Sequence, residues 1–191
     1  MKMNIMKIDF PSKLSNMNVV LRKLKNKDKN AIFSIYSNEE SAKLDDWIPM
    51  KTLDEAEKLI NQSIQNFNNK SEFRYGIEDL SRKKLIGSCG VFRLDECNRK
   101  CMVFFQVHKD ERNKGYATNA MGLIIKYIFN ELNINRIEAY ITPGNNASIR
   151  VLEKNGFIQE GILREIEFYK DKFWDGIVMA MIRKDHEKLF T

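Results

Sequence analysis

The residues best suited to chemistry lie in Glu111-Arg112-Asn113-Lys114-Gly115-Tyr116-Ala117-Thr118, just ahead of the apolar segment MGLIIKYIFNEL. Two cations, an amide and a lone glycine gather before what reads as a buried helix. Backbone N–H groups at a helix start lack intrahelical acceptors, and the helix dipole adds partial positive charge there. A phosphate is stabilised at such a place without any special side chain. Small residues at positions 115 and 117 would let it come close to the backbone. The spacing is not that of a P-loop, which needs Gly-Lys-Ser/Thr, nor of a dinucleotide fingerprint, which needs three glycines. Taken alone, the stretch also fits an ordinary strand-to-helix turn with surface charges.

Other reactive residue types are sparse. Cys89, Cys97 and Cys101 form no paired framework and are read as reduced, structural thiols. His108 and His186 are too few for a zinc cluster, so no metal is expected. The formal charge is +6, from 32 Lys and Arg against 26 Asp and Glu interleaved along the chain. Such a distribution describes a solvated surface and offers no basic stripe with interleaved aromatics, so direct nucleic-acid binding is not expected. A modest positive excess does suit an anionic small molecule such as a nucleotide or coenzyme. No apolar run reaches the roughly 20 residues of a membrane span. The first residues lack a signal-type apolar stretch, which predicts a cytoplasmic location and no membrane partner.

The elements that must hold these residues follow from periodicity. A strand is predicted over 19–26 and a short helix over 28–36. A clearer helix covers TLDEAEKLINQSIQNFNN, with Leu53, Ala56, Ile60, Ile64 and Phe67 at helical spacing and Thr52 with Glu55 as a capping box. Strands are expected over 72–79, 84–94 and 101–109, the first two as a hairpin. The helix beginning at residue 115 runs to about Leu132 with Met121, Ile124, Ile125, Ile128 and Leu132 on one face. A strand over 135–142 and a short helix over 145–155, stopped by Gly156 at its C′ position, follow. Two strands joined near Lys170-Asp171 close the chain. The pattern is α/β, with antiparallel strands first and a β-α-β unit in the middle. No linker is visible, so residues 1–191 read as one domain with an extra N-terminal segment over 1–16.

With these elements in place, Arg112-x-x-Gly115-x-Ala117 resembles the acyl-CoA pyrophosphate loop of the GNAT N-acetyltransferases. Asn145-x-x-Ser148, then Glu153-Lys154-x-Gly156-Phe157, then Glu160-Gly161 are similar to the branch typified by ribosomal-protein alanine N-acetyltransferases. The resemblance covers Lys84 to Ile182, with fainter similarity back to the first strand. Asn113 departs from it, standing where relatives often carry glycine, though Asn tolerates unusual backbone angles better than most residues. The resemblance implies a mixed, mostly antiparallel sheet in which the parallel strands at 101–108 and 135–142 splay apart. Acetyl-CoA would then lie against Gln106, Val107 and His108, against Arg112 to Thr118, and against Asn145. It assigns Ser148 as donor toward the leaving thiolate, and Glu167 of the next-to-last strand as base. Met102 stands where other relatives carry an acidic residue. Glu165 and Glu167 share a face in a regular strand, so periodicity cannot separate them; the resemblance selects Glu167, with a water chain as a further route. Trp47 would line the acceptor side, where Asp45 and Asp46 could attract an amine or simply cap a loop.

Each of these residues also has a plain structural reading. Asn145 suits a helix N-cap, Ser148 a first helical turn, Glu167 a solvated strand, and Trp47 a core position. A covalent acetyl-cysteine at Cys89 or Cys101 lacks an adjacent base and is disfavoured. The expected reaction is direct acetyl transfer to a primary amine, a protein N-terminus above all. A polyamine or amino-sugar acceptor is the rival enzyme reading, for which only Glu39, Glu40, Asp45 and Asp46 hint at acidic attraction. A non-catalytic acyl-CoA-binding module is the reading from another class, and the chain is expected to act as a monomer or homodimer.

Overall fold

A computed structural model describes residues 9–45 and 47–190. Eight strands form one sheet: β1 (Lys13–Ser15), β2 (Val19–Lys23), β3 (Phe73–Asp79), β4 (Lys84–Asp95), β5 (Lys100–Val107), β6 (Arg136–Ile141), β7 (Ile158–Tyr169) and β8 (Lys172–Ile182). Their order across the sheet is β1-β2-β3-β4-β5-β6-β8-β7. Every neighbouring pair is antiparallel except β5 with β6. The helices are α1 (Lys29–Tyr36), α2 (Glu39–Ala42), α3 (Leu53–Asn69), α4 (Tyr116–Glu131), α5 (Asn146–Glu153) and α6 (Arg183–Phe190). Among the described residues no helix is long and apolar enough to cross a membrane.

Alternation along the central strands feeds two cores. Tyr75 and Ile77 of β3, Cys89 and Val91 of β4 and Val103 of β5 pack with Met121, Ile124 and Ile128 of α4. On the opposite face, which Leu85 reaches through a register shift of β4 against Ile77 and Glu78, Leu24 and Leu85 join Ile32 and Ile35 of α1 and Ala56 and Ile60 of α3. A Cβ on Gly76, between Tyr75 and Ile77, would strike Leu85 and Leu24, so that layer seats itself directly on bare backbone. The apolar stripe predicted for α4 is buried throughout.

Several local expectations need correction. Thr52 precedes α3 in extended conformation, but its side chain makes no capping bond. Glu55 instead accepts the backbone N–H of Lys51 at 2.9 Å, one residue earlier than a capping box requires. Of the expected N-terminal segment, residues 13–15 pair with β2 as β1 and Phe10 packs on Phe73 and Tyr127; residues 1–8 lie outside the described residues. The last strand stops at Ile182, where α6 begins.

Gly156 ends α5 as expected, at φ +87°. Its N–H reaches Glu153 O and that of Phe157 reaches Leu152 O, the paired bonds of a Schellman motif. Lys170 and Asp171 both have positive φ, as a tight two-residue hairpin turn requires.

Candidate active site

The site begins where two strands part. β5 and β6 pair only through Lys100, Cys101 and Met102 against Arg136, Ile137 and Glu138, yet both strands continue beyond. On its other edge β5 stays paired with β4 up to Gly87 and Val107, with Ser88 opposite Gln106. His108 donates its backbone N–H to Ile86 O at 2.8 Å. In an antiparallel ladder alternate residues bond to the same neighbour. The even-numbered residues of β5 therefore face β4, while Phe105 and Val107 turn their N–H and C=O groups into the gap. A ligand amide there would satisfy groups that the sheet leaves open.

Of the residues expected beside acetyl-CoA, Val107 turns its backbone groups into the gap, as does Phe105, whereas the Gln106 backbone faces β4 and the His108 N–H is already bonded to Ile86. The His108 ring lies 2.9 Å from Ser34 Oγ and accepts the Asp110 N–H, and His108 lines neither cavity of the site. Strand register, had the β4–β5 hairpin been aligned residue by residue, would have singled out Phe105 from sequence.

The loop after β5 has the geometry of an anion seat. Asn113 has φ +61° and Gly115 φ +78°. The first i→i−4 bond of α4 runs from Asn119 N–H to Gly115 O at 3.0 Å, so the amides of Tyr116, Ala117 and Thr118 have no intrahelical acceptor. A Cβ at Gly115 would meet only Asn119 Nδ2, at 3.6 Å. The backbone angle, rather than crowding by the protein, is what calls for glycine.

Beneath the loop lies a charge network absent from the sequence reading. Glu111 is 3% exposed and takes both Nη groups of Arg82 at 2.9 and 2.8 Å, with Lys114 at 2.9 Å and Lys84 at 3.3 Å. Arg82 also bonds Asp79, to which the Tyr116 hydroxyl donates. Hydrogen bonds from Arg82 and then Lys114 hold the Glu111 carboxyl down at about 2. The Tyr116 hydroxyl, followed by the backbone N–H of Arg82, holds Asp79 well below the usual carboxylate range. Lys114, expected at the ligand, instead braces the loop through Glu111 and Asp110 O. Exposed Arg112 remains at the cleft, with Nε 3.5 Å from Val107 O.

Two cavities meet at the gap. The larger, about 910 Å³, runs from Arg112, Asn113 and Gly115–Thr118 to Phe105 and Val107. The smaller, about 330 Å³, is walled by Tyr36, Trp47, Phe92, Phe104 and Tyr140 and by Glu167. Both are lined by Leu44, Asp45, Phe105, Gln106, Asn145 and Ser148. Asn145 is the N-cap of α5, its Oδ1 accepting the Ser148 N–H at 3.2 Å, while its Nδ2 donates to Asp45 Oδ1 at 3.3 Å. It thus ties α5 to the loop after α2. Trp47 packs edge-on against Tyr36 at 5.3 Å and lines the smaller cavity, so it is both core and wall.

Glu165 and Glu167 do not share a face. The register of β7 against β8 shifts between Leu163 and Glu167, Glu165 has φ +51°, and its N–H bonds Asp175 Oδ1 at 2.9 Å. Glu165 is exposed, whereas half-buried Glu167 reaches the smaller cavity. Of the acidic residues expected near the acceptor, Glu39 pairs with exposed Lys51, Glu40 lines the larger cavity, and Asp46 lies outside the described residues. Cys89 and Cys101 are buried and burial pushes both thiols up, which suits packing and not nucleophilic attack.

The family model described as acetyltransferase (GNAT) domain matches residues 18–158. The chain is 28% identical to the uncharacterized N-acetyltransferase YoaA of Bacillus subtilis, covering 86% of this chain and 93% of that protein. It is 26% identical to the spermidine N(1)-acetyltransferase of Vibrio cholerae, covering 84% and 90%. Among solved structures, the microcin C7 self-immunity acetyltransferase MccE, in complex with acetyl-CoA and AMP, superposes with a TM-score of 0.83 at 19% identity, covering 91% of this chain and 97% of that one.

Proposed function

The chain belongs to the GNAT acetyltransferase family, and from that premise we propose that it transfers acetyl directly from acetyl-CoA to the α-amine of a protein N-terminus. The observation carrying this reading is that two cavities, one bounded by an anion seat and one by aromatics with a carboxylate, share a single junction. The residues present fit acetyl-CoA. The amides in the first turn of α4, with Arg112 beside them, suit a diphosphate, and the open amides of Phe105 and Val107 suit an amide-bearing arm.

Acetyl-CoA supplies an acyl group activated as a thioester. Three tasks then fall to this chain. Glu167, on the wall of the acceptor cavity, takes the proton that the amine must lose before it can attack. An α-amine, whose ordinary pKa lies near 8, gives that proton up more readily than a lysine or polyamine nitrogen near 10.4. Backbone N–H groups of β5 facing the gap hold a carbonyl oxygen as negative charge builds on it. The Ser148 hydroxyl, in the first turn of α5 and at the junction, donates toward the departing sulfur.

A polyamine acceptor is the second reading, favoured by the spermidine-acetylating relative and by Asp45, Glu72 and Glu167 in the smaller cavity. Against it, Glu72 is paired with Arg74 at 3.2 Å, which places a cation in that same cavity. Coenzyme A release measured across N-terminal peptides, polyamines and aminoglycosides separates the two. Peptide turnover exceeding that of spermidine is expected, and the reverse order would overturn the choice of acceptor.

A further inference from the structure

Gln106 occupies the junction of the two cavities, is 9% exposed, and its side-chain Nε2 meets no hydrogen-bond partner among the described residues. Folded proteins leave few buried donors unpaired, because a donor stripped of water and given nothing in return is costly. The polar groups beside it are already committed. Ser88, its cross-strand neighbour, shares a 2.7 Å hydrogen bond with Tyr36. The Tyr36 hydroxyl in turn accepts from Arg74 at 3.1 Å, and the Arg74 guanidinium lies 4.1 Å over the Phe104 ring. Gly90 permits that crossing, since a Cβ there would strike both Phe73 O and the Phe104 ring. The lining of the acceptor cavity therefore holds the donors of Arg74 and Gln106 together with the carboxylates of Asp45, Glu72 and Glu167.

We infer that Gln106 holds the acceptor by donating its side-chain N–H to a carbonyl oxygen next to the reacting amine, which selects α-amino acyl compounds such as peptide N-termini. The inference rests on the acetyl-transfer reading and deepens it. A peptide N-terminus brings an amine for the carboxylate wall and a carbonyl for Gln106 in one rigid unit. A polyamine brings only cationic donors at neutral pH and would leave Nε2 unpaired. Sites built to hydrogen-bond one substrate group discriminate against analogues lacking it more strongly than apolar pockets do.

The test compares two acceptors, an alanyl dipeptide amide and an alkyl monoamine of equal length without a carbonyl, on the wild type, Gln106→Leu and Gln106→Glu. Acetyl-CoA affinity is measured on each protein by calorimetry. Losing one well-made hydrogen bond should lower kcat/KM for the peptide by about tenfold or more in Gln106→Leu, chiefly through KM. The alkylamine rate and acetyl-CoA affinity should stay within about twofold, the scatter of a neutral change. Gln106→Glu, which offers only acceptor oxygens, should lose the peptide and keep or improve the alkylamine, and it reads out the same contact if the leucine variant folds poorly. Equal losses for both acceptors, or a loss confined to acetyl-CoA affinity, would overturn the role of Gln106 while leaving peptide acetylation standing. A wild type that acetylates spermidine but not the peptide would sink the acceptor reading and this inference with it.

Discussion

Ser148→Ala separates a chemical role from a structural one. The Ser148 N–H already serves the Asn145 cap through the backbone, which alanine preserves, so the helix start should survive. Turnover should drop on the order of a hundredfold, as for loss of one positioned proton donor, while acetyl-CoA affinity measured by calorimetry stays nearly constant. Parallel losses in both would instead mark Ser148 as part of the cleft wall. Glu167→Gln should likewise lower kcat with acetyl-CoA affinity intact and remove one ionisation from the pH–rate profile; an unchanged profile would exclude it as base. Asn145 and Ser148 became candidates because they lie in an ordered pattern that resembles the family's, and Glu167 because of its place in the next-to-last strand. Periodicity alone could not set Glu165 aside; only the resemblance did. The register shift in β7 that turns it outward depends on pairing with β8, and strict two-residue alternation carries no trace of it.

The loop between β5 and α4 makes its own predictions. Gly115→Glu should abolish acetyl-CoA binding, because it sets a negative side chain where the diphosphate would rest. Gly115→Ala leaves room for its methyl group but forces a left-handed angle, and should destabilise by roughly 1 kcal/mol. Glu111 adds a pH dependence whose sign follows from its depressed folded-state value. Its stabilising contribution is complete above its ordinary pKa of 4.5 and is lost as pH falls toward about 2. In urea unfolding, Glu111→Gln should be less stable than wild type at pH 7, with the gap shrinking between pH 4.5 and 2; a gap independent of pH would show that Glu111 is not ionised against Arg82 and Lys114. Helices α3 and α4 were readable from their apolar spacing, and the strand-to-helix turn at Gly115 from its place between α4 and the strand before, while its reading as an anion seat is a proposal. The brace beneath the loop was not readable, since Arg82 and Lys84 reach Glu111, and Asp79 holds Arg82, only through the β3–β4 hairpin. The cap of α3 was misread for a similar reason: which N–H the Glu55 carboxylate reaches depends on the path of the chain before Thr52.

At the scale of the whole sheet, the candidate site lies where pairing stops. β5 and β6 are neighbours although α4 and its loop separate them in sequence, and β8 inserts between β6 and β7. The β-α-β pattern anticipates β5 beside β6, whereas the insertion of β8 has no local sequence signal, because strand order is decided by long-range pairing; the splay was expected through family resemblance and not through periodicity. Two cores hold the sheet from its opposite faces: the one with α4 runs from β3 through β5 to β6 and β8, and the other packs α1 and α3 on Leu24 and Leu85. Hydrogen exchange read amide by amide, with and without saturating acetyl-CoA, tests the central claim most directly. The amides of Phe105, Val107, Tyr116, Ala117 and Thr118 should slow markedly on binding, and that of His108, already bonded to Ile86, should change little. Saturating acetyl-CoA that leaves those five amides exchanging at their free rates would contradict a seat formed by the loop and the parted strands.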